Sequence, residues 1–214
     1  MSDLSDYRKS YEKSELTGQN LPEDPITFFK KWFIEVEEFS GKGEVNAMTV
    51  STLGLDGYPN SRVVLLKQYN HEGFIFFTNY DSNKGKAIAA NPNVCLSFFW
   101  QELERQVIIK GIAEKTSENT SDGYFESRPH GSQLGARVSP QSQVVPSREY
   151  LENNLKELEQ QFEGRKIPRP QNWGGYLVKP VSIEFWQGRP NRLHDRIRYT
   201  LQDDYSWKIE RLAP

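Results

Sequence analysis

Thirteen residues near the C-terminus concentrate the groups best suited to chemistry: Trp186-Gln187-Gly188-Arg189-Pro190-Asn191-Arg192-Leu193-His194-Asp195-Arg196-Ile197-Arg198. They hold four arginines, a tryptophan and one of the chain's three histidines. An arginine fork grips phosphate or carboxylate through two parallel hydrogen bonds. The same composition also allows a solvated hairpin with no ligand, because charges mostly lie on surfaces. Further sets of cations and hydroxyls are scattered upstream: Arg62 with Lys67, then Lys84, then Arg128 with Ser132. Taken with Arg192, His194 and Arg196 they suggest two bound phosphates, and Trp186 and Tyr124 could flank a flat ring. No side chain here is itself a redox centre, so redox chemistry would need a borrowed cofactor.

The rest of the sequence narrows the function class. The 27 basic and 29 acidic side chains nearly balance, which argues against bulk binding to nucleic acid or an anionic membrane. Any anion site must therefore come from local clustering. Cys95 is the single cysteine, so an internal disulfide framework and a multi-cysteine metal site are excluded. It lies in the apolar run 94–100 and reads as a buried, inert thiol. His71, His130 and His194 show no HxxxH or HExxH spacing, and no metal site is expected. No apolar run reaches membrane-span length, and the polar N-terminus is no signal peptide, so a cytoplasmic protein is expected. G-x-G-x-x-G and Walker sequences are absent, which disfavours Rossmann and P-loop nucleotide sites. No G-x-S-x-G elbow supports a Ser-His-Asp triad.

The elements that must position these groups are mostly short strands. Met1 to Pro22 is polar and reads as a mobile arm. Asp24-Pro25 starts a helix, with Ile26, Phe29, Phe33 and Val36 as its apolar stripe. Strands are predicted at 47–53, 60–67, 74–78, 94–100 and 105–115, joined by tight turns. Between them, 81–92 reads as a short helix capped by Ser82 or Asp81. Its lysines, Lys84 and Lys86, oppose the helix dipole, so an anion beside them would help. A short helix over 121–127 is broken at 128–132, and 135–142 reads as a polar loop. Ser147 caps a helix with stripe Leu151, Leu155, Leu158 and Phe162, ended by Gly164. Strands close the chain at 176–179, 182–187, 193–200 and 207–212. The pattern predicts a mainly β, α+β fold, an antiparallel meander or barrel with peripheral helices.

Several segments together carry a family likeness. Ser61-Arg62-Val63-Val64-Leu65-Leu66-Lys67, Arg105-Gln106-Val107, Tyr124-Phe125-Glu126-Ser127-Arg128-Pro129 and Gly131-Ser132-Gln133-Leu134-Gly135-Ala136 come first. Gln141-Ser142, Trp173-Gly174-Gly175-Tyr176, the block from Glu184 to Arg196 and the closing Arg211-Leu212-Ala213-Pro214 follow in order. From Pro22 onward the chain closely resembles the pyridoxine/pyridoxamine 5′-phosphate oxidases. The resemblance implies an FMN-binding split β-barrel over residues 22–214, after a flexible N-terminal arm at 1–21. It implies a homodimer with FMN at the subunit interface and a C-terminal part that serves dimerisation and substrate binding. FMN would be held at the positions of Arg62, Val63, Val64, Leu65, Leu66, Lys67, Phe77, Thr78, Lys84, Gln106, Gln141, Ser142, Trp186 and Arg196. The vitamer phosphate falls to Lys67, Tyr124, Arg128 and Ser132. Arg192, Leu193 and His194 match the segment over the substrate ring, with Arg192 and His194 in the catalytic positions. Arg8, Lys9, Ser10 and Tyr11 resemble a segment that folds over the occupied site.

The implied reaction oxidises pyridoxine or pyridoxamine 5′-phosphate to pyridoxal 5′-phosphate with O2, releasing H2O2, and ammonia from the amine. One position departs from the family: Asn83 stands where a basic residue often precedes the lysine, which implies weaker FMN binding than with Arg there. A flavin reductase or F420-type enzyme on the same barrel, or a non-catalytic flavin- or pyridoxal-phosphate-binding protein, remains as an alternative.

Overall fold

The computed structural model describes every residue except Met1, Arg8, Asn20 and Lys42. The elements run α1 (Pro25–Ser40), β1 (Ala47–Leu53), β2 (Pro59–Leu65), β3 (Gln68–Asn70), β4 (Gly73–Asn79), α2 (Asn83–Ala90), β5 (Asn93–Trp100) and β6 (Arg105–Lys115). Then come α3 (Glu118–Ser127), α4 (His130–Val138), α5 (Arg148–Gln161), β7 (Trp173–Gln187), β8 (Asp195–Leu201) and β9 (Trp207–Leu212). The strands form one sheet in the order β2-β1-β5-β6-β7-β4-β3, with β8 pairing β7 and β9 pairing β8. Two compact units divide the chain. One comprises Met1–Val50, Cys95–Gly111 and Pro180–Pro214; the other comprises Ser51–Val94 and Ile112–Lys179.

In the first unit, the carboxylate of Asp24 accepts hydrogen bonds from the N–H groups of Ile26 and Thr27, and Pro25 takes the first helical position. The α1 stripe is wider than the sequence predicts. Phe28 and Trp32 are buried beside Ile26, Phe29 and Val36, because Phe28 and Trp32 pack on Phe185 at 4.2 and 5.2 Å between ring centroids. Phe29 meets Phe98 at 5.2 Å. The buried Arg105 lies over the Trp32 ring at 4.5 Å, donates to Gln187 and pairs with Glu35. Antiparallel pairing of β7 with β8 sets Trp186 opposite Arg196, and β8 with β9 sets Arg196 opposite Leu212.

In the second unit, β4 pairs antiparallel with β3 and with β7, with Thr78 opposite Gly174. Helices α3, α4 and α5 share an apolar cluster of Phe125, Leu134, Ile167 and Trp173, joined by Leu155, Leu158 and Phe162. Two sequence expectations change here. Residues 135–138 are the last turn of α4 and not a loop, and the break after α3 is confined to Arg128-Pro129. The glycines and serines of this stretch favour a loop locally, but a helix lets Leu134 bury completely. Likewise β7 is one strand where two were predicted. Pro180 removes only one ladder donor and its fixed φ is compatible with extended backbone. The expected strand at 60–67 ends at Leu65, and the one expected from Leu193 starts at Asp195, after a 3-10 turn at Pro190–Arg192.

Ser82 caps α2 by accepting the Gly85 N–H. Gly85 has no room for a side chain: a Cβ there would lie 2.1 Å from the Tyr80 carbonyl oxygen and 2.7 Å from its Cα. Backbone-to-backbone contact of this kind holds the α2 N-terminus against the end of β4. Gly85→Ala is expected to destabilise the protein by about 1–3 kcal/mol through overpacking, read as a lowered urea midpoint with an unchanged m-value.

Candidate functional site

In the second unit a cleft of about 480 Å³ is lined by Arg62, Val63, Val64, Leu65, Lys67, Phe77, Thr78, Lys84, Tyr124, Arg128, Pro129, Ser132, Gln141 and Trp173. Strand β2 supplies Arg62, Val63, Val64 and Leu65, and β4 supplies Phe77 and Thr78. Helix α2 supplies Lys84, and the α3–α4 junction supplies Tyr124, Arg128 and Ser132. The structure thus brings together most of the residues expected for the flavin phosphate and the vitamer phosphate. Leu66 does not line the cleft; it is 4% exposed, on the buried side of the chain. Ser142 is exposed with φ 71° and lies outside the lining, although its neighbour Gln141 lies within it.

Lys84 is the electrostatic centre of the cleft. Its side chain is 8% exposed, and Nζ donates to Gln141 Oε1 at 2.8 Å, Thr78 Oγ1 at 3.0 Å and Ser82 Oγ at 3.4 Å. All three acceptors are neutral. Burial, and then the Arg62 guanidinium, push the Lys84 pKa down to about 8. Arg62 Nη1 donates to the buried Thr52 hydroxyl at 2.8 Å, and burial lowers its pKa too. An arrangement that weakens its own cations suits an incoming anion.

The second cationic group is carried by an aromatic stack. Phe77 and Tyr124 stack at 3.9 Å and 20°, and Trp173 lies parallel to Tyr124 at 7° with centroids 6.2 Å apart. The Arg128 guanidinium sits 4.7 Å from the Trp173 ring centroid, a cation–π contact. Its Nη1 is buried and has no hydrogen-bond partner among the described residues. Burial lowers its pKa. Trp173 lines the cleft although composition and spacing do not single it out; the visible signal is its place before Gly174-Gly175, which pack closely against the side chains of Tyr80, Ser121, Thr116 and Phe77. Asn83 is exposed and lines a different recess of about 210 Å³ with Asn60 and Lys86.

The first unit holds the remaining candidates. Trp186 and His194 lie 4.7 Å apart, and the Tyr11 ring meets them at 5.8 and 5.9 Å. The Arg189 N–H donates to His194 Nδ1 at 3.1 Å, so a neutral imidazole carries its hydrogen on Nε2. Burial, and then Arg192, lower the His194 pKa. Arg192 and Leu193 are exposed, and Arg192 has a φ of 61°. Arg196 donates to Glu184 Oε1 at 2.7 Å and to the Ala213 carbonyl at 2.9 Å; the first bond raises its pKa. Gln106 is half-buried on β6. Lys9 and Ser10 are exposed, and Arg8 lies outside the described residues. Among the described residues no cluster of three or more His, Cys, Asp or Glu could hold a metal. No helix among them is long and apolar enough to cross a membrane. Burial raises the Cys95 pKa, in keeping with an inert thiol.

Comparison with known proteins bears on the family and the fold. Residues 35–162 match the family model described as pyridoxamine 5′-phosphate oxidase, and 173–214 match the pyridoxine 5′-phosphate oxidase C-terminal dimerisation region. The pyridoxine/pyridoxamine 5′-phosphate oxidase of Flavobacterium johnsoniae is 74% identical over 213 residues, covering 100% of both chains. That of Nostoc sp. is 51% identical, covering 99% of this chain and 98% of the relative. Among solved structures, PhzG from Burkholderia lata, in complex with tetrahydrophenazine-1-carboxylic acid, superposes with a TM-score of 0.87 at 29% identity, covering 96% and 100% of the two chains. The expected split-barrel fold class is therefore the fold found. A model match over most of the chain, together with relatives this similar along its whole length, places it in the pyridoxine/pyridoxamine 5′-phosphate oxidase family.

Proposed function

We propose that the protein is an FMN-dependent oxidase that converts pyridoxine or pyridoxamine 5′-phosphate to pyridoxal 5′-phosphate with O2, releasing H2O2, and ammonia from the amine. The observation that carries this reading is the cleft with two separate anion grips: Lys84 with Arg62 at one place, and Arg128 with Tyr124 and Ser132 at another. A phosphorylated flavin and a phosphorylated vitamer need one grip each. The residues present fit FMN: the buried Lys84 ammonium has only neutral partners, and Arg128 keeps a buried donor unused. Bound FMN would supply the two-electron acceptor, which no side chain provides.

The chain's own groups bind and orient. Lys84 and Arg62, with the Val63 to Lys67 segment, Phe77, Thr78, Gln141 and Ser142, would hold the flavin; Gln106, Trp186 and Arg196 would complete that site in a homodimer. Lys67, Tyr124, Arg128 and Ser132 would hold the substrate phosphate, so remote binding energy fixes the reacting carbon. Arg192, Leu193 and His194 would cover the substrate ring, with the neutral His194 offering Nε2–H as a donor. Lys9, Ser10 and Tyr11 would close over it, as would Arg8. The same reading treats 1–21 as an arm and 22–214 as the FMN-binding domain, in a cytoplasmic enzyme. Asn83 is exposed, where a charge is screened. Asn83→Arg should accordingly strengthen FMN binding by no more than roughly tenfold.

The direct test supplies pyridoxine 5′-phosphate to purified, FMN-loaded enzyme and follows pyridoxal phosphate and peroxide together. Equimolar appearance of the two is expected, and NAD(P)H consumption without pyridoxal phosphate would overturn the reading. Two variants divide the roles. Arg192→Ala should lower turnover far more than FMN affinity, and Arg62→Ala should chiefly weaken FMN binding; normal turnover in Arg192→Ala at saturating FMN contradicts the assignment.

Lys84 also sets a pH dependence. Its folded pKa lies near 8, below its ordinary 10.5, and phosphate binding favours the protonated form. FMN affinity should therefore hold below pH 8 and fall by roughly tenfold per pH unit above it. Fluorescence titration between about pH 7 and 9.5 reads this, the phosphate already being a dianion throughout. Riboflavin, which lacks the phosphate, should show no such fall, and neither should Lys84→Met.

A further inference from the structure

Glu104 is a buried carboxylate in an unusual backbone position. It is 1% exposed and has a φ of 55°, in the left-handed region that non-glycine residues seldom occupy. Its backbone is fixed by the surrounding fold: the carbonyl accepts from Gly188 N at 2.8 Å and from Gln187 Nε2 at 3.2 Å. Its carboxylate, by contrast, faces the N-terminal segment. Oε2 accepts the N–H groups of Glu12 at 2.9 Å and Lys13 at 3.1 Å, and Oε1 pairs with Lys9 Nζ at 3.3 Å. Among the described residues every partner of this carboxylate lies between Lys9 and Lys13. A carboxylate removed from water needs such partners, and here the covering segment supplies all of them among the described residues.

Tyr11 lies within the segment so fixed. Its ring packs on Trp186 and His194, and the seat is close: a Cβ on Gly188 would lie 2.8 Å from Tyr11 Cγ. Gly188 is also the residue whose N–H bonds to the Glu104 carbonyl, so anchor and seat share one piece of backbone. Beyond Tyr11 the segment is tied again. Arg189 Nη1 pairs with Glu15, Asp195 accepts the Leu16 N–H at 3.0 Å, and Arg211 donates to the Leu16 carbonyl at 2.7 Å.

We propose that Glu104 is a positioning residue: its carboxylate anchors Lys9–Lys13 and thereby sets Tyr11 over Trp186 and His194. The anchor stands on these contacts alone; its consequence for substrate binding rests on the oxidase reading above. Two variants test it in the full-length, FMN-loaded protein. Glu104→Gln removes the charge at constant size, and Gly188→Ala crowds the Tyr11 seat and leaves the carboxylate intact. Limited trypsin digestion with mass spectrometry should show cleavage after Lys9 and Lys13 accelerated roughly tenfold or more in both variants. The KM for pyridoxine 5′-phosphate should rise at least several-fold, with FMN affinity unchanged. Glu104→Asp, which keeps the charge, should restore part of the protection from cleavage. Wild-type cleavage rates in both variants would overturn the anchor, and faster cleavage with an unaltered KM would overturn the positioning role. Should Glu104→Gln fail to fold, Glu104→Asp, whose shorter side chain draws the carboxylate back from the segment, answers the same question: cleavage after Lys13 faster than in wild type supports the anchor, and wild-type cleavage overturns it. If wild-type enzyme oxidises neither vitamer, the oxidase reading fails, and the digestion still decides the anchor.

Discussion

A lysine ammonium held out of water by neutral partners is the constraint on which the candidate site depends. Lys84 is nearly fully buried, yet its hydrogen bonds go to an amide and two hydroxyls. Burying a cation without a counter-charge is costly, and the depressed pKa records that cost. The fold holds the side chain in place through the Ser82 cap, the tight packing of Gly85 on Tyr80 and hydrogen bonds to Thr78 and Gln141, with Lys84 on the lining of the cleft. An arriving phosphate would meet a donor that is already placed and already desolvated. Preorganisation of this kind turns an electrostatic liability of the free protein into binding energy.

The same logic recurs at Arg128 with different means. There a guanidinium rests on the face of Trp173, which belongs to a stack with Tyr124 and Phe77. Aromatic faces stabilise a cation without neutralising it or occupying its forked donors. One buried nitrogen remains unused. The two grips therefore differ in chemistry as well as in place: one is a desolvated lysine beside an arginine, the other an arginine on an aromatic platform.

In the other unit the organising group has the opposite sign. Glu104 is a buried anion whose partners come from a segment far away in sequence, and the segment's backbone N–H groups satisfy it as much as the Lys9 charge does. Backbone donors do not depend on side-chain identity. A polar segment with little apolar periodicity can therefore dock specifically, and the apolar contribution narrows to Tyr11 and the buried Leu16. The Arg189 N–H donates to Nδ1 of His194, beside Tyr11, which leaves Nε2 to carry the hydrogen of the neutral imidazole.

Local sequence determined much of this protein. Asp24-Pro25, Ser82 and Ser147 mark their helices correctly because a cap is a bond between near neighbours, readable within four residues. Strands β1, β5 and β6 are legible too, since their alternation records which face is buried. The cationic sets Arg62 with Lys67, Lys84, and Arg128 with Ser132 were visible as clusters, and the family's motifs named nearly all of the cleft. Tertiary structure decided the rest. It made residues 135–138 helical by burying Leu134, and it carried β7 through Pro180. It turned Leu66 away from the cleft, put Trp173 under Arg128, and gave Glu104 its distant partners. Each of these depends on groups dozens of residues apart, and a sequence window shows the donor and the acceptor but not the fold that brings them within reach.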